Sequence, residues 1–251
     1  MNKIIIKDQE FIVPIWILDD VGYFYEEIYN WIIKEKDDYV IFNICHLNKF
    51  KQLRKQIYWL CHWYDELIEA NIPVIKSDVY DVTNLDILHD ILHEEKFIRL
   101  CNASPKDISS CLFNGNINSI IDIFKTSART SYMLESDHIH LVLRPVVKID
   151  HELRCFWHKH QLRAVSGPEY YIENTESIKN KIILFFDTYG KDIIYNSAVI
   201  DIAIHLDNVF IIEFNSFGSD MLAGAGHFKW DEPLLYHADK PVFRFKSKYQ
   251  W

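Results

Sequence analysis

Glycine and proline are scarce here, at seven residues of each in a chain of 251. A Pro/Gly-rich linker and a low-complexity tract are thereby excluded. Hydrophobic residues at 49% and aromatics at 15% give the composition of a compact globular protein. The length suffices for one large domain or two small lobes with a sizeable core. Cysteine is limited to Cys45, Cys61, Cys101, Cys111 and Cys155, an odd and scattered set with no Cys-x-x-Cys. That excludes a disulfide framework and points to reduced thiols in a cytoplasmic setting. No apolar run reaches the ~18 residues of a membrane helix. The apolar run Phe11 to Leu18 stops at Asp19-Asp20 without a small-residue cleavage site, so it does not read as a signal peptide. Cations are in deficit, 27 Lys and Arg against 36 Asp and Glu, for a net charge of −9. This argues against a nucleic-acid backbone as the main partner and leaves room for a local basic pocket. A soluble cytoplasmic monomer that binds neither nucleic acid nor membrane is expected.

Hydrophobic patterning divides the chain. Lys3 to Ile6 and Phe11 to Trp16 read as strands, Val21 to Lys36 as a helix and Tyr39 to Ile44 as a strand. Asn48 to Ala70 reads as a long amphipathic helix with Phe50, Leu53, Ile57, Leu60, Tyr64 and Leu67 as its apolar stripe. Ile72 to Ile75 is a strand, Asp81 to Glu94 a helix and Phe97 to Leu100 a strand. Beyond the polar loop Asn102 to Asp107, a helical stretch covers Asn118 to Ser136. Three strands follow, Ile139 to Ile149, Glu152 to Trp157 and Gln161 to Ser166, the last two joined by a tight turn at His158-Lys159-His160. A helix over Thr175 to Thr188 with Asn174 as its cap precedes strands at Ala198 to Leu206 and Val209 to Phe214. The expectation is an α/β N-terminal lobe over residues 1–137 and an α+β C-terminal lobe over 138–251.

Polar residues in apolar surroundings carry the chemistry. In Ile211-Ile212-Glu213-Phe214-Asn215, read with Val199-Ile200-Asp201-Ile202-Ala203, three hard oxygen donors sit in two runs that read as buried strands. Glu213 and Asn215 are two apart and leave one face of a strand, while a hairpin near Asp207-Asn208 brings Asp201 alongside. Asp201, Glu213 and Asn215 then converge as a magnesium ion held against nucleotide phosphates requires. The competing reading is the polar face of exposed strands. Arg99, in Phe97-Ile98-Arg99-Leu100, precedes the donor-rich Ser104-Pro105-Lys106-Asp107 and suits phosphate contact, or else is an edge-strand arginine before a helix start capped by Ser104. In His140-Leu141-Val142-Leu143-Arg144 the backbone suits an adenine edge and Arg144 a phosphate, or Arg144 pairs with a neighbouring acid. Arg154, in Glu152-Leu153-Arg154-Cys155-Phe156, suits bidentate phosphate binding or a salt bridge with Glu152 or another acid. Gly224-Ala225-Gly226 lacks the strand-to-helix setting of a phosphate loop.

In this order, and with Phe228-Lys229-Trp230-Asp231-Glu232, these segments resemble the cell division cycle protein 123 family, a branch of the ATP-grasp superfamily. The resemblance spans residues 96–232 and implies a two-lobed ATP-grasp fold with ATP between the lobes. By position, it implies that Arg99 stands for the strand lysine on the ATP phosphates and that Ser104, Pro105, Lys106 and Asp107 form the loop over the nucleotide. His140, Leu141 and Val142 border adenine, Arg144 and Arg154 face phosphate, and Asp201, Glu213 and Asn215 ligate magnesium. The family often has Gln-Arg-Asp after the position of Ser166, where this chain has Gly167-Pro168-Glu169. The implied cofactors are ATP and Mg2+. The implied role is assembly of translation initiation factor 2 through its gamma subunit. The rival expectation is an ATP-dependent carboxylate–amine ligase working through an acyl phosphate.

Overall fold

The computed structural model describes residues 2–6, 9–13, 60–101, 103–113, 116–131, 134, 139–218 and 223–246. The helix read at 21–36, the strand at 39–44 and the first half of the helix begun at residue 48 lie outside the described residues. An antiparallel hairpin, β1 (Asn2–Ile6) with β2 (Gln9–Val13), opens the chain. Helix α1 (Leu60–Glu69) buries Leu60, Trp63 and Leu67 on one face, by their spacing of three and four residues. Trp63, not Tyr64, completes that stripe. Tyr64 lies at its edge, where its hydroxyl accepts from the Ser77 backbone N–H at 2.8 Å.

The rest is two sheets. The smaller has the order β3-β6-β4-β5, from β3 (Asp78–Val82), β4 (Lys96–Leu100), β5 (Leu112–Phe113) and β6 (Ile139–Pro145). Two expectations are corrected here. The helix read at 81–94 begins as strand: Asp78–Val82 pairs with 139–143, and tertiary pairing overrides local propensity. Only a 3-10 turn (Leu85–Ile87) and a short α2 (Leu88–Ile91) follow, started by Asn84, whose side chain accepts from the Asp86 N–H. The strand from residue 139, read with the C-terminal lobe, is instead the second strand of this small sheet, flanked by β3 and β4. It ends at Pro145, and the chain passes between the sheets over 146–150. Helix α3 (Ile117–Thr126) covers one face with Ile120, Ile121 and Phe124, against Ile98, Leu100, Ile139, Leu141 and Leu143.

The larger sheet has the order β10-β9-β7-β8-β11, from β7 (His151–His158), β8 (Leu162–Ser166), β9 (Ser197–His205), β10 (Asn208–Asn215) and β11 (Val242–Arg244). β11 joins parallel to β8 and the other pairs are antiparallel. Side chains alternate between its faces. Leu153, Cys155, Ile200, Ile202 and Ile211 face α1 and α4 (Thr175–Tyr189), which contributes Ile178, Ile182, Phe185 and Phe186. Asn174 caps α4 as expected, its side chain accepting from the Ser177 N–H. Phe156 and Val199 turn the other way and pack on Phe217, Phe228 and Leu235 of α5 (Leu234–His237). The turn expected at 158–160 is present, with Lys159 and His160 both at positive φ.

His158 lies on this second face, 2% exposed, stacked on Phe217, with Nδ1 and the Ser197 hydroxyl 2.9 Å apart. Burial first, and then the charges of Lys159, Arg163 and His237, push its pKa down to about 4. Between that value and the ordinary 6.5 the unfolded chain binds the proton and the folded chain does not. Stability rises with pH through this window, and acidification withdraws about 3 kcal/mol. We expect urea unfolding of His158→Gln at neutral pH and at about pH 4.5 to show a flatter pH dependence than the parent by that amount. An equal pH dependence in both proteins would place the acid-labile group elsewhere.

Candidate functional site between the two sheets

The arrangement starts from an irregularity in β10. Ile211 pairs with Ile202, yet Glu213, not Ile212, pairs with Asp201: Ile212 is an extra residue, a β-bulge. Without it Glu213 would oppose Ile200 and point into the core under α4. The bulge moves Glu213 and Asn215 to the face that carries Asp201, because a one-residue slip reverses every side chain beyond it. The irregular backbone is supplied with partners. Ile211 N–H donates to the Pro73 carbonyl at 2.9 Å and its carbonyl accepts from the Ile75 N–H at 3.2 Å. The Ile212 carbonyl accepts from Nη2 of Arg144 at 2.9 Å.

Asp201, Glu213 and Asn215 lie together on this face. Asn215 Nδ2 donates to Asp201 Oδ2 at 3.1 Å. Arg154, opposite Asp201 on β7, donates from Nε to Oδ1 at 2.8 Å and from Nη2 to Oδ2 at 2.7 Å. Its Nη1 donates to the Gly224 carbonyl at 2.8 Å. From the small sheet, Arg99 forms an ion pair with Glu213 and donates from Nε to the Leu100 carbonyl at 2.9 Å. Arg144 donates from Nε to the Ser77 hydroxyl at 2.9 Å. It is 3% exposed, and among the described residues no carboxylate lies within ion-pair range of it. Arg99 and Arg144 thus reach from one sheet to the same turn of backbone on the other.

Three arginines face two carboxylates, a surplus of positive charge in a mostly buried place. Burial lifts the Asp201 carboxyl to about 6 against the pull of Arg154, which leaves it ionised at neutral pH. Burial also raises Glu213, but Arg99 above all, then Lys106 and Arg144, outweigh it and bring the group down to about 2. Burial first, then the neighbouring charge of Arg99, draws Arg144 down to about 9, still charged at neutral pH. Two carboxylates and an amide oxygen are hard donors suited to magnesium, and the unmatched arginines suit an anion beside it. The donors fit a divalent cation that arrives with its own negative charge better than a bare one. Among the described residues no set of three His, Cys, Asp or Glu side chains forms a metal site on its own.

The remaining predicted residues divide. Lys106 is exposed and close enough to Glu213 to lower its pKa. Ser104 is buried beside Cys111, whose thiol it draws down against the larger rise that burial causes. The Pro105 carbonyl accepts from the N–H groups of Ile108 and Ser109, closing the turn. Asp107 accepts from the Ser127 hydroxyl at 2.5 Å and the Ala128 N–H at 3.0 Å, which halts α3 at Thr126, short of the 136 expected. Asp107 is therefore committed to the fold. His140, Leu141 and Val142 lie in a strand paired on both sides, so ladders to β3 and β4 occupy the backbone expected to read a base, and Leu141 and Val142 are fully buried. Ser77 and the Gly224 carbonyl were missed. An isolated serine before a strand carries no signal in sequence, and a backbone carbonyl none at all.

Residues 100–249, more than half of the chain, match the family model D123. The chain belongs to the D123 family. Among D123 relatives, the putative CDC123-like protein L884 of Acanthamoeba polyphaga mimivirus is 29% identical, with 85% of this chain and 83% of that protein aligned. Cdc123 from Schizosaccharomyces pombe superposes with a TM-score of 0.60 at 18% identity, over 78% of this chain and 97% of that one. Its C-terminally truncated form gives 0.62, over 80% and 98%. These spans exceed the D123 match, so the alignment with the viral relative and the fold shared with Cdc123 both take in part of the first hundred residues. The two-lobed α/β architecture is the fold shared with that Cdc123.

The Gly224 carbonyl reaches Arg154 because the turn at Gly226 rests directly on β8. Gly226 has φ +58, and a Cβ there would lie 2.7 Å from Ser166 Cβ. Gly226→Ala is expected to destabilise by about 2 kcal/mol or more, from backbone strain and overlap together. A loss of only about 1 kcal/mol in urea unfolding, the strain of left-handed backbone alone, would remove the contact from the account.

Proposed function

We propose that this D123-family chain binds Mg-ATP between its two lobes and uses the bound nucleotide to hold the lobes in one orientation as an assembly factor for translation initiation factor 2. The observation that carries the reading is Arg144, a buried guanidinium that among the described residues bonds only neutral acceptors and shares the nearby Glu213 charge with Arg99, set beside the Arg99–Glu213 and Arg154–Asp201 pairs. A buried cation without a carboxylate of its own is costly, and a polyphosphate is the ligand that relieves it. Asp201, Glu213 and Asn215 would hold a magnesium ion, whose charge would offset that of the phosphates.

In this reading Asp201, Glu213 and Asn215 hold the metal, and Arg99, Lys106, Arg144 and Arg154 orient the phosphates. Adenine lies not against 140–142 but near 146–149, whose backbone pairs with no strand and whose Val146, Val147 and Ile149 are exposed. The same reading puts the division of the chain into lobes at that passage and not at 137. The gamma subunit of initiation factor 2 is the partner that family membership suggests. A chain of charge −9 suits a basic docking patch on that partner.

Calorimetry with Mg-ATP tests the site. Asp201→Asn and Glu213→Gln each weaken binding by about 2 kcal/mol or more, since each removes one carboxylate beside the metal. Arg154→Lys keeps the charge, loses the planar fork and still weakens binding. Unchanged affinity in both acid variants would sink the metal assignment. Recovery of the gamma subunit from eukaryotic cytosol with Mg-ATP, and its loss in Asp201→Asn, supports the assembly role. ADP release with an amine acceptor and no recovery would favour a ligase.

A further inference from the structure

Each carboxylate of this site is already taken: Glu213 by Arg99, and Asp201 by Nε and Nη2 of Arg154. A divalent cation placed on either must push an arginine aside. Arg99 has nowhere to go. It is 7% exposed, its Nε is committed to the Leu100 carbonyl, and Glu213 is its charged partner among the described residues. A metal ion alone would add two positive charges to a cluster that already holds three arginines against two carboxylates. A polyphosphate alone would meet the arginines while they remain neutralised by Asp201 and Glu213. Only the two together give every charge a partner: the carboxylates turn to the cation, and the arginines they release turn to the phosphates.

We propose that Arg99 acts as an internal stand-in for the metal on Glu213, so that the site excludes a bare divalent cation and takes cation and polyphosphate as a coupled pair. This deepens the reading of the site as a Mg-ATP site and rests on it. The exchange moves no covalent bond and no proton. It is a swap of ion pairs, and linkage makes it reciprocal: nucleotide tightens metal by the same factor as metal tightens nucleotide.

The pairing has a consequence of unusual sign. Removing Arg99 takes away the competitor for Glu213, so a metal ion alone should bind better. It also takes away a phosphate partner, so nucleotide should bind worse. A side chain that merely supports the fold would weaken both.

The test titrates Mn2+, a paramagnetic substitute for magnesium, by electron spin resonance. It is run with and without the non-hydrolysable analogue AMP-PNP, correcting for the complex those two form in solution. In the parent, saturating AMP-PNP should tighten Mn2+ by about 30-fold or more, within the range of couplings between sites. In Arg99→Gln, Mn2+ alone should bind about 10-fold tighter than in the parent, AMP-PNP about 10-fold weaker, and the coupling should shrink. Arg99→Lys, which keeps a cation beside Glu213, should leave Mn2+ alone as weak as in the parent, and this variant decides the matter if Arg99→Gln does not fold. Mn2+ binding that is unchanged or weakened in Arg99→Gln, or tightened in Arg99→Lys, overturns the proposal while leaving Mg-ATP binding intact. A parent that binds no AMP-PNP at all overturns the reading of the site itself, and this inference with it.

Discussion

The hydrogen bond from Arg144 to the Ile212 carbonyl is the contact on which the site depends. A β-bulge turns one peptide out of the ladder, and a carbonyl so displaced needs a donor if it is to stay buried. Arg144 supplies one from the opposite sheet, and Pro73 and Ile75 hold the residue before it. Were the bulge to slide out, Glu213 would face the aliphatic core beneath α4, where a carboxylate has no partner. The same guanidinium therefore fixes which face of β10 carries chemistry and keeps the two sheets together.

Electrostatics follow from that geometry. Because the two sheets meet at the bulge, arginines from one lie against acids from the other, and their charges interact in a place with little water. Burial raises Asp201 while neighbouring cations draw Glu213 down, so two carboxylates at adjacent register positions behave differently. Environment sets their roles, not residue type. The outer arginine, Arg154, keeps a side chain more than a quarter exposed, whereas Arg99 and Arg144 are enclosed.

Much of this was legible in the residues. The strands carrying Asp201, Glu213 and Asn215, the hairpin between them and the capped helix after Asn174 follow from alternation and turn chemistry. The bulge was written there too, though faintly. Val209 and Ile211 share a parity with Glu213 and Asn215, so strict alternation would have one face begin apolar and end polar, a contradiction that an extra residue resolves. What could not be read was pairing over long distances. Asp78–Val82 became a strand because 139–143 was waiting for it, and 139–145 left the lobe to which its neighbours belong for the same reason. Asp107, grouped with a nucleotide loop by its position in a motif, turned out to end a helix twenty residues later.

The chain passes from one sheet to the other at 75–78 and again at 146–150, and Asp78 and Leu143 are partners in the ladder, so the two passages run side by side. Two covalent links at one margin define an axis. Relative motion of the sheets is then reduced to a single degree of freedom, a swing about that margin, with sliding and twisting suppressed by the second link. The tie from Ser77 through Arg144 lies at the pivot, where displacement is smallest, while contacts farther along the facing sheets travel the most. One angle then describes how the two sheets face one another, and any surface shared by both is a function of it.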